Sequence, residues 1–222
     1  AADALGVEMH QNTAVTSLLR ANNGEIRGVE TVKGTVKAKK VVVAVSGHTT
    51  TITETASLRL PLRTMNLTAF VSEPIKPIVD VIVNCSDLGF YFSQSDKGEL
   101  VIGGAPDSAQ SFRRDIKQHV FEDTVGAMLE LFPSFKNLKL LRQWGGHLDI
   151  TPDASPIMDE TDVAGLFVTA GWWGGYKAIP AGGLTMAYHV ATNSPHPLMT
   201  AFSYNRFKNL DYILETGTTT AR

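Results

Sequence analysis

Residues 171–183 form a glycine-rich segment that contains the residue types best suited to ligand chemistry in this chain. The segment follows a short apolar run at 166–170 and precedes an amphipathic run at 184–191. A strand, a glycine loop and a helix start, in that order, direct free backbone N–H groups and the positive end of the helix toward one place. Glycines let a flat or anionic ligand approach the backbone closely, and Lys177 adds a positive charge. We therefore expect a cofactor and a substrate to meet here.

The sequence lacks the residue spacings that metal binding and catalysis by a nucleophilic serine require. No metal site is predicted, because no i,i+4 pair and no cysteine cluster occurs among the histidines, which are His10, His48, His119, His147, His189 and His196. Ser155 does not lie in a Gly-x-Ser-x-Gly turn of the kind that presents a nucleophile. The single cysteine, Cys85, is predicted to be a small buried hydrophobic residue.

The composition is that of an ordinary globular protein. The 222 residues are 43% apolar and 19% charged, with a formal net charge of −2, which allows one large domain or two small ones. No long block of one charge indicates binding to nucleic acid or to a membrane surface, and no long apolar run indicates a membrane span. One cysteine allows no internal disulfide, so we predict a reducing compartment, the cytoplasm.

The elements that must position the glycine-rich segment begin with short strands. Residues 13–20 and 25–32 are alternating apolar runs around an Asn-Asn-Gly turn, which predicts a hairpin, and 35–38 is predicted to be a third extended piece. Residues 41–45 are continuously apolar, as expected of a strand buried on both faces. A helix is predicted over residues 49–57.

The middle of the chain has a different character. Short apolar runs separated by turns predict an antiparallel sheet, with strands over 67–71, 79–83, 90–93 and 100–102. Apolar residues at helical spacing predict a helix over 115–132. A strand over 138–144 and a loop over 145–156 are predicted to follow it. Beyond them we predict a strand, a helix, a short helical piece and a disordered tail, over 166–170, 181–192, 203–210 and 217–222.

These elements predict a mixed α/β fold of two interleaved domains. Residues 1–57 and 160–192 are predicted to be parts of an α/β nucleotide-binding domain, and 58–159 an antiparallel-sheet substrate domain inserted within it. Residues 193–222 are predicted to be a C-terminal segment and tail. The first residues are typical of the last turn of a helix that ends at Gly6, so we expect the chain to be the C-terminal portion of a longer protein.

An ordered series of motifs runs through most of the chain. The strongest are Trp144-Gly145-Gly146, residues 151–157 and the segment 171–183. Others lie at residues 4–7, 12–16, 41–48, 60–61, 93–101 and 131–133. Together they resemble the D-amino-acid-oxidase-like flavoprotein superfamily, and within it the β subunits of heterotetrameric sarcosine oxidases. The resemblance implies a partial Rossmann-like FAD-binding domain in the predicted α/β part.

The resemblance also implies roles for particular residues. Lys177 is implied to lie beside the flavin and the substrate carboxylate, where a cation binds an anionic amino acid and stabilises negative charge on the flavin ring. Gly174 and Gly175 would offer backbone N–H groups to the flavin, and the backbone of Val15 would contact the adenine of FAD. The residues alone also allow a solvated loop lysine, ordinary turn glycines and a core valine.

Four further positions are candidates. Ser46 and Gly47 end a predicted buried strand at the carboxyl edge of a sheet, where cofactors collect, although an ordinary strand end is the alternative. His48 is implied to lie at a second flavin, FMN, or else beside a helix N-terminus without a ligand. His147 is a catalytic candidate facing the substrate cavity, with a supporting or surface role as the alternative.

Two elements of the resembled family do not occur in this sequence. These are the Gly-x-Gly-x-x-Gly element, which holds the FAD pyrophosphate, and the upstream histidine that carries covalent FMN. Both are expected to precede residue 1. The glycine-rich segment is also one residue shorter than the usual form, with Trp172-Trp173 in place of a Trp-Gly-Thr stretch.

The activity that the resemblance implies is flavin-dependent oxidative demethylation of sarcosine (N-methylglycine) to glycine. The one-carbon unit would leave as formaldehyde or pass to tetrahydrofolate, and hydrogen peroxide would form. FAD and FMN are the implied cofactors, and the other sarcosine oxidase subunits or the missing N-terminal half are the implied partners. The alternatives are a single-subunit FAD amine oxidase or dehydrogenase for glycine, proline or dimethylglycine, and a non-catalytic fragment or assembly subunit.

Overall fold

The computed structural model of the chain describes residues 1–173 and 175–213. Helices and several sheets occur together, so the predicted mixed α/β class is confirmed. The described residues divide into two compact units, one of residues 1–61, 155–170 and 175–213 and the other of residues 62–154 and 171–173. The nucleotide-binding and substrate roles given above to the two domains stay predictions.

The first unit opens with an antiparallel sheet of three strands, β1 (Val15–Arg20), β2 (Ile26–Thr31) and β3 (Gly34–Lys37), in that order. The predicted hairpin and its third strand are therefore present. The turn between β1 and β2 closes through a hydrogen bond from the Gly24 amide to the Ala21 carbonyl oxygen, at 2.9 Å. Gly24 has a φ of 89°, a conformation that glycine adopts without steric cost.

A second sheet in the same unit contains β4 (Val41–Val43), β10 (Ile157–Glu160) and β11 (Leu166–Ala170). The central strand β11 pairs antiparallel with β10 and parallel with β4. Strand β10 was not predicted. The continuous apolar run predicted burial of β4 on both faces, but Val42 is 39% exposed, whereas Val43 is buried. Among the described residues, β4 pairs only with β11.

Four α-helices lie in the described ranges, and three of them belong to the first unit: α1 (Thr49–Thr53), α3 (Ile179–Thr192) and α4 (Asn205–Lys208). Short 3-10 turns accompany them at Asp3–Leu5, Ser46–His48, Glu54–Ala56, Gly175–Ala178 and Pro197–Phe202. Helix α3 begins two residues before the predicted start, because Pro180 is well suited to a first helical turn, where its missing N–H is not needed. None of the helices in the described ranges has the length and apolar character that crossing a bilayer requires.

The second unit is built on an antiparallel sheet of five strands in the order β6-β7-β8-β5-β9. The strands are β5 (Arg63–Pro74), β6 (Val83–Cys85), β7 (Phe90–Gln94), β8 (Glu99–Gly104) and β9 (Leu140–Ile150). The strand predicted over residues 79–83 is formed instead by β6, slightly later in the chain. The prediction of a loop from residue 145 is wrong for its first six residues, because β9 continues as far as Ile150 by pairing with β5.

Helix α2 (Gln118–Leu131) covers one face of this sheet, which we call the helix-side face. Phe121 of the helix meets Phe70 of β5 edge to face, with ring centroids 5.2 Å apart. A 3-10 turn at Pro133–Asn137 follows the helix. The core of the unit consists of buried apolar residues from the sheet, the helix and this turn: Phe70, Phe90, Phe92, Leu100, Ile102, Met128 and Phe135.

Candidate functional site

The glycine-rich segment begins with a tight turn at Gly171, immediately after β11. The amide of Gly171 donates to the carboxylate Oδ2 of Asp149 at 2.7 Å, and the amide of Trp173 donates to the Gly171 carbonyl oxygen at 3.0 Å. Gly171 has a φ of 76°, and a Cβ on it would lie only 2.5 Å from Cγ2 of Thr151. Only glycine fits this position without strain or overlap.

The segment continues as the 3-10 turn Gly175–Ala178 and then becomes helix α3. Gly175 opens the turn and Lys177 lies within it, while Tyr176 is 90% exposed. Gly174 and the side chain of Lys177 lie outside the part of the chain that the structure describes. Their predicted contacts with the flavin and the substrate stay predictions.

Helix α3 has one buried face and one exposed apolar face. Its buried residues include Gly182, Met186 and His189, and the His189 ring packs edge to face on Phe167 of β11 at 5.2 Å. The opposite face exposes apolar side chains, among which Leu184 is 71% exposed. An exposed apolar stripe on a helix is typical of a surface that another part of a protein covers.

Ser46, Gly47 and His48 form the 3-10 turn that follows β4, at the carboxyl edge of the parallel pair β4–β11. Ser46 has a φ of 49°, and its carbonyl oxygen accepts a hydrogen bond from Oγ1 of Thr49 at 2.7 Å. Gly47 is buried, whereas Ser46 and His48 are exposed. The predicted strand end at this edge is thus present, and contacts with FAD or FMN stay predictions.

Val15 and His147 lie on strands of different sheets. Val15 is the first residue of β1, pairs with Thr31 and is exposed, so it does not behave as a core valine. His147 lies on β9 directly opposite Asn66 of β5, on the helix-side face. Its ring meets the ring of Phe112 with centroids 6.2 Å apart. A catalytic role for His147 stays a prediction.

The other face of the five-stranded sheet carries a cross-strand row of four residues. Tyr91, Gly103, Ala69 and Trp144 are successive partners across β7, β8, β5 and β9. The Tyr91 ring crosses Gly103 so closely that a Cβ there would lie 2.3 Å from its Oη, and partial burial raises the pKa of Tyr91. Trp144 is 46% exposed. Two aromatic side chains therefore flank two small residues in this row.

Sequence reasoning missed the packing of Tyr91 over Gly103 and the hydrogen bond that Asp149 accepts from Gly171. Asp149 and Asp153 follow each other closely in a stretch that was expected to be a turn-rich loop. Asp153 does lie at a turn, where its Oδ1 accepts from Oγ1 of Thr151 at 3.0 Å, but Asp149 belongs to β9. Polar residues at alternate positions, His147 and Asp149, were the signal for a strand. Among the described residues, no group of three His, Cys, Asp or Glu side chains could hold a metal ion.

Comparison with known proteins identifies the family. Residues 1–189 match the family described as FAD dependent oxidoreductase. The chain belongs to this family. The sarcosine oxidase subunit beta of Rhodobacter capsulatus is 44% identical over 212 residues, which are 95% of this chain and 51% of that protein. The subunit of the same name from Rhizobium meliloti is 39% identical over 97% of this chain and 52% of its own length.

A solved structure agrees with membership in the FAD dependent oxidoreductase family. L-proline dehydrogenase from P. horikoshii superposes with a TM-score of 0.87 at 25% identity, covering 96% of this chain and 58% of that one. The fold of the chain is therefore that of this flavoenzyme family, as the resemblance implied. The chain spans about half the length of the relatives it matches.

Proposed function

We propose that this chain is part of a flavin-dependent amine oxidoreductase that demethylates sarcosine in the cytoplasm. The observation that carries the proposal is the 44% identity to a sarcosine oxidase β subunit over 95% of the chain. The site geometry supports it, because a glycine turn at the end of β11 and the turn at Ser46–His48 both follow strands of one parallel pair. Cofactors of open α/β sheets bind at such carboxyl edges.

The residues present fit part of an FAD site. Gly47, in the turn that follows β4, offers backbone without a side chain, which suits the close approach of a flat ring system. No Gly-x-Gly-x-x-Gly element occurs in the chain, so another part of the protein or assembly would hold the pyrophosphate. When bound, FAD would supply the acceptor for a hydride.

The proposed reaction converts sarcosine, water and oxygen into glycine, formaldehyde and hydrogen peroxide. A hydride equivalent leaves the N-methyl carbon, which gives an imine. Water adds to this imine and releases formaldehyde. Alternatively, tetrahydrofolate accepts the one-carbon unit. Lys177 would hold the substrate carboxylate through its positive charge.

Further components belong to the proposed assembly. FMN is proposed as a second flavin, with its covalent attachment outside this sequence and His48 as a neighbouring residue. The proposed partners are the other subunits of a heterotetrameric sarcosine oxidase, because the relatives are named as β subunits. Neither a nucleic acid nor a membrane is among the proposed partners.

A second candidate is a single-subunit FAD amine dehydrogenase or oxidase. The observation that favours it is the TM-score of 0.87 with an L-proline dehydrogenase. Its substrate would be proline, glycine or dimethylglycine, because one methylene group changes discrimination between such amines by only about 1–3 kcal/mol.

The absorbance spectrum of the purified material, combined with a substrate panel, tests the proposal. We expect flavin bands, part of the colour remaining on protein after acid precipitation, additional polypeptides, and one formaldehyde per sarcosine oxidised. FAD without covalent flavin, together with turnover of proline or glycine, would favour the single-subunit candidate. Colourless material that turns over no amine would leave only a non-catalytic fragment or assembly subunit.

A further inference from the structure

Asp149 is a buried carboxylate near the end of β9 for which the proposed chemistry has no direct use. Asp149 is only 2% exposed, and its Oδ2 accepts a hydrogen bond from the Gly171 amide at 2.7 Å. A buried carboxylate is costly unless hydrogen bonds stabilise it. The bond to a backbone amide is charge-assisted and therefore stronger than a bond between neutral groups.

The structure restrains Gly171 from a second direction. A Cβ on Gly171 would lie 2.5 Å from Cγ2 of Thr151 and 3.2 Å from Cδ2 of Leu62, so these side chains close the space on that side. The amide of Trp173 donates back to the Gly171 carbonyl oxygen at 3.0 Å. Gly171 is thus held through its N–H and its carbonyl oxygen, and its Cα lies against two side chains.

We propose that Asp149 is a positioning residue whose carboxylate holds the turn at Gly171, with which the glycine-rich segment begins. Its importance for catalysis rests on the proposed function, because Lys177 and Gly175 lie farther along the same segment. Without an acceptor at position 149, the Gly171 amide loses its bond and the turn opens. Because Oδ2 accepts the Gly171 N–H, an amide oxygen in the same place is expected to keep that hydrogen bond.

Hydrogen exchange of the Gly171 and Trp173 amides tests the position without requiring activity. In Asp149→Ala we expect exchange at these two amides to accelerate at least about tenfold, because the turn opens locally. In Asp149→Asn we expect exchange within about threefold of the wild-type rate, since Asn retains an acceptor oxygen. Unchanged exchange in Asp149→Ala would overturn the proposal.

Asp159 provides a matched control. Its Oδ2 also accepts a backbone amide, from Tyr204 at 3.3 Å, but in a different segment. Asp159→Ala should accelerate exchange at Tyr204 and leave Gly171 unchanged. If Asp159→Ala accelerated Gly171 as much as Asp149→Ala does, the effect would be general loosening, and the proposal would be wrong.

Kinetics of the flavin-containing protein separate this inference from the proposed function. We expect Asp149→Ala to lower kcat for sarcosine at least tenfold and to shift the flavin absorbance maxima, with Asp149→Asn restoring both. An Asp149→Asn variant as impaired as Asp149→Ala would assign the effect to the charge and overturn positioning by an acceptor. A wild-type protein that does not oxidise sarcosine would contradict the proposed function, whereas the exchange rates would still decide the role of Asp149.

Discussion

At the scale of single residues, Lys177 offers the most direct test of the proposed substrate contact. Lys177→Met keeps the length of the side chain and removes its charge, so we expect kcat/KM for sarcosine to fall about 100-fold or more, as when a preorganised donor is lost. Lys97→Met is the control, because Lys97 is exposed in the turn between β7 and β8. Equal kcat/KM values for Lys177→Met and the wild type would remove Lys177 from the site.

Gly171 allows backbone strain to be separated from steric overlap. Gly171→Ala must place a side chain in a left-handed conformation and against Thr151, so we expect it to lower the free energy of unfolding by at least about 3 kcal/mol. Gly24 has a similar φ of 89°, but the Cβ of an alanine there would meet only the end of the Arg20 side chain. Gly24→Ala should cost about 1–2 kcal/mol.

Urea unfolding of both variants measures this difference. The midpoint should fall for each, and farther for Gly171→Ala, with the slope unchanged. Equal losses would mean that Thr151 and Leu62 move aside and that the turn is held less tightly than its distances indicate.

At the scale of elements, the sequence predicted best where the signal was local. The β1–β2 hairpin and β11 lie where alternation, turn residues and a continuous apolar run placed them. The sequence predicted that β9 ends before Gly145, because glycines favour turns. The strand continues to Ile150 because it pairs with β5, and the residues near Gly145 do not reveal that pairing. The Gly171 turn was predicted as a glycine-rich loop, but its tie to Asp149 joins residues far apart in sequence.

Helix α2 packs closely against strand β8 at Gly104, and this contact can be tested by a double-mutant cycle. A Cβ on Gly104 would lie 2.1 Å from Oγ1 of Thr124, whose hydroxyl donates to the Val120 carbonyl oxygen at 2.7 Å. We expect Gly104→Ala alone to destabilise the chain by about 2–3 kcal/mol through overpacking. In a Thr124→Ala background the same change should cost at least about 1 kcal/mol less, because the hydroxyl is gone.

Thermal or urea unfolding of the four proteins in the cycle gives the coupling energy directly. A coupling near zero would mean that α2 shifts as a whole to relieve the overlap. Gly126→Ala serves as the control on the same helix, since a Cβ there meets no atom within 4 Å and should not destabilise the helix.

At the scale of the whole molecule, the first unit exposes apolar surface that a self-sufficient domain would bury. Val42 on β4 and Leu184 on α3 are 39% and 71% exposed, although the sequence around both is apolar. The chain spans about half the length of its relatives in the FAD dependent oxidoreductase family. We therefore expect β4 and the exposed face of α3 to be covered by the rest of the flavin-binding protein or assembly.

Val42→Lys tests this expectation. A lysine at Val42 stays partly hydrated in the chain as described, so we expect the free energy of unfolding of the isolated chain to change by less than about 1 kcal/mol. Burial of the same charge on assembly would cost several kcal/mol, so bound flavin per chain should fall at least about tenfold in the complete protein. Val36→Lys is the matched control, because Val36 is equally apolar and exposed but lies on β3 of the other sheet. Wild-type flavin content in Val42→Lys would mean that this face of β4 stays open to solvent and that FAD binding is organised elsewhere in the protein.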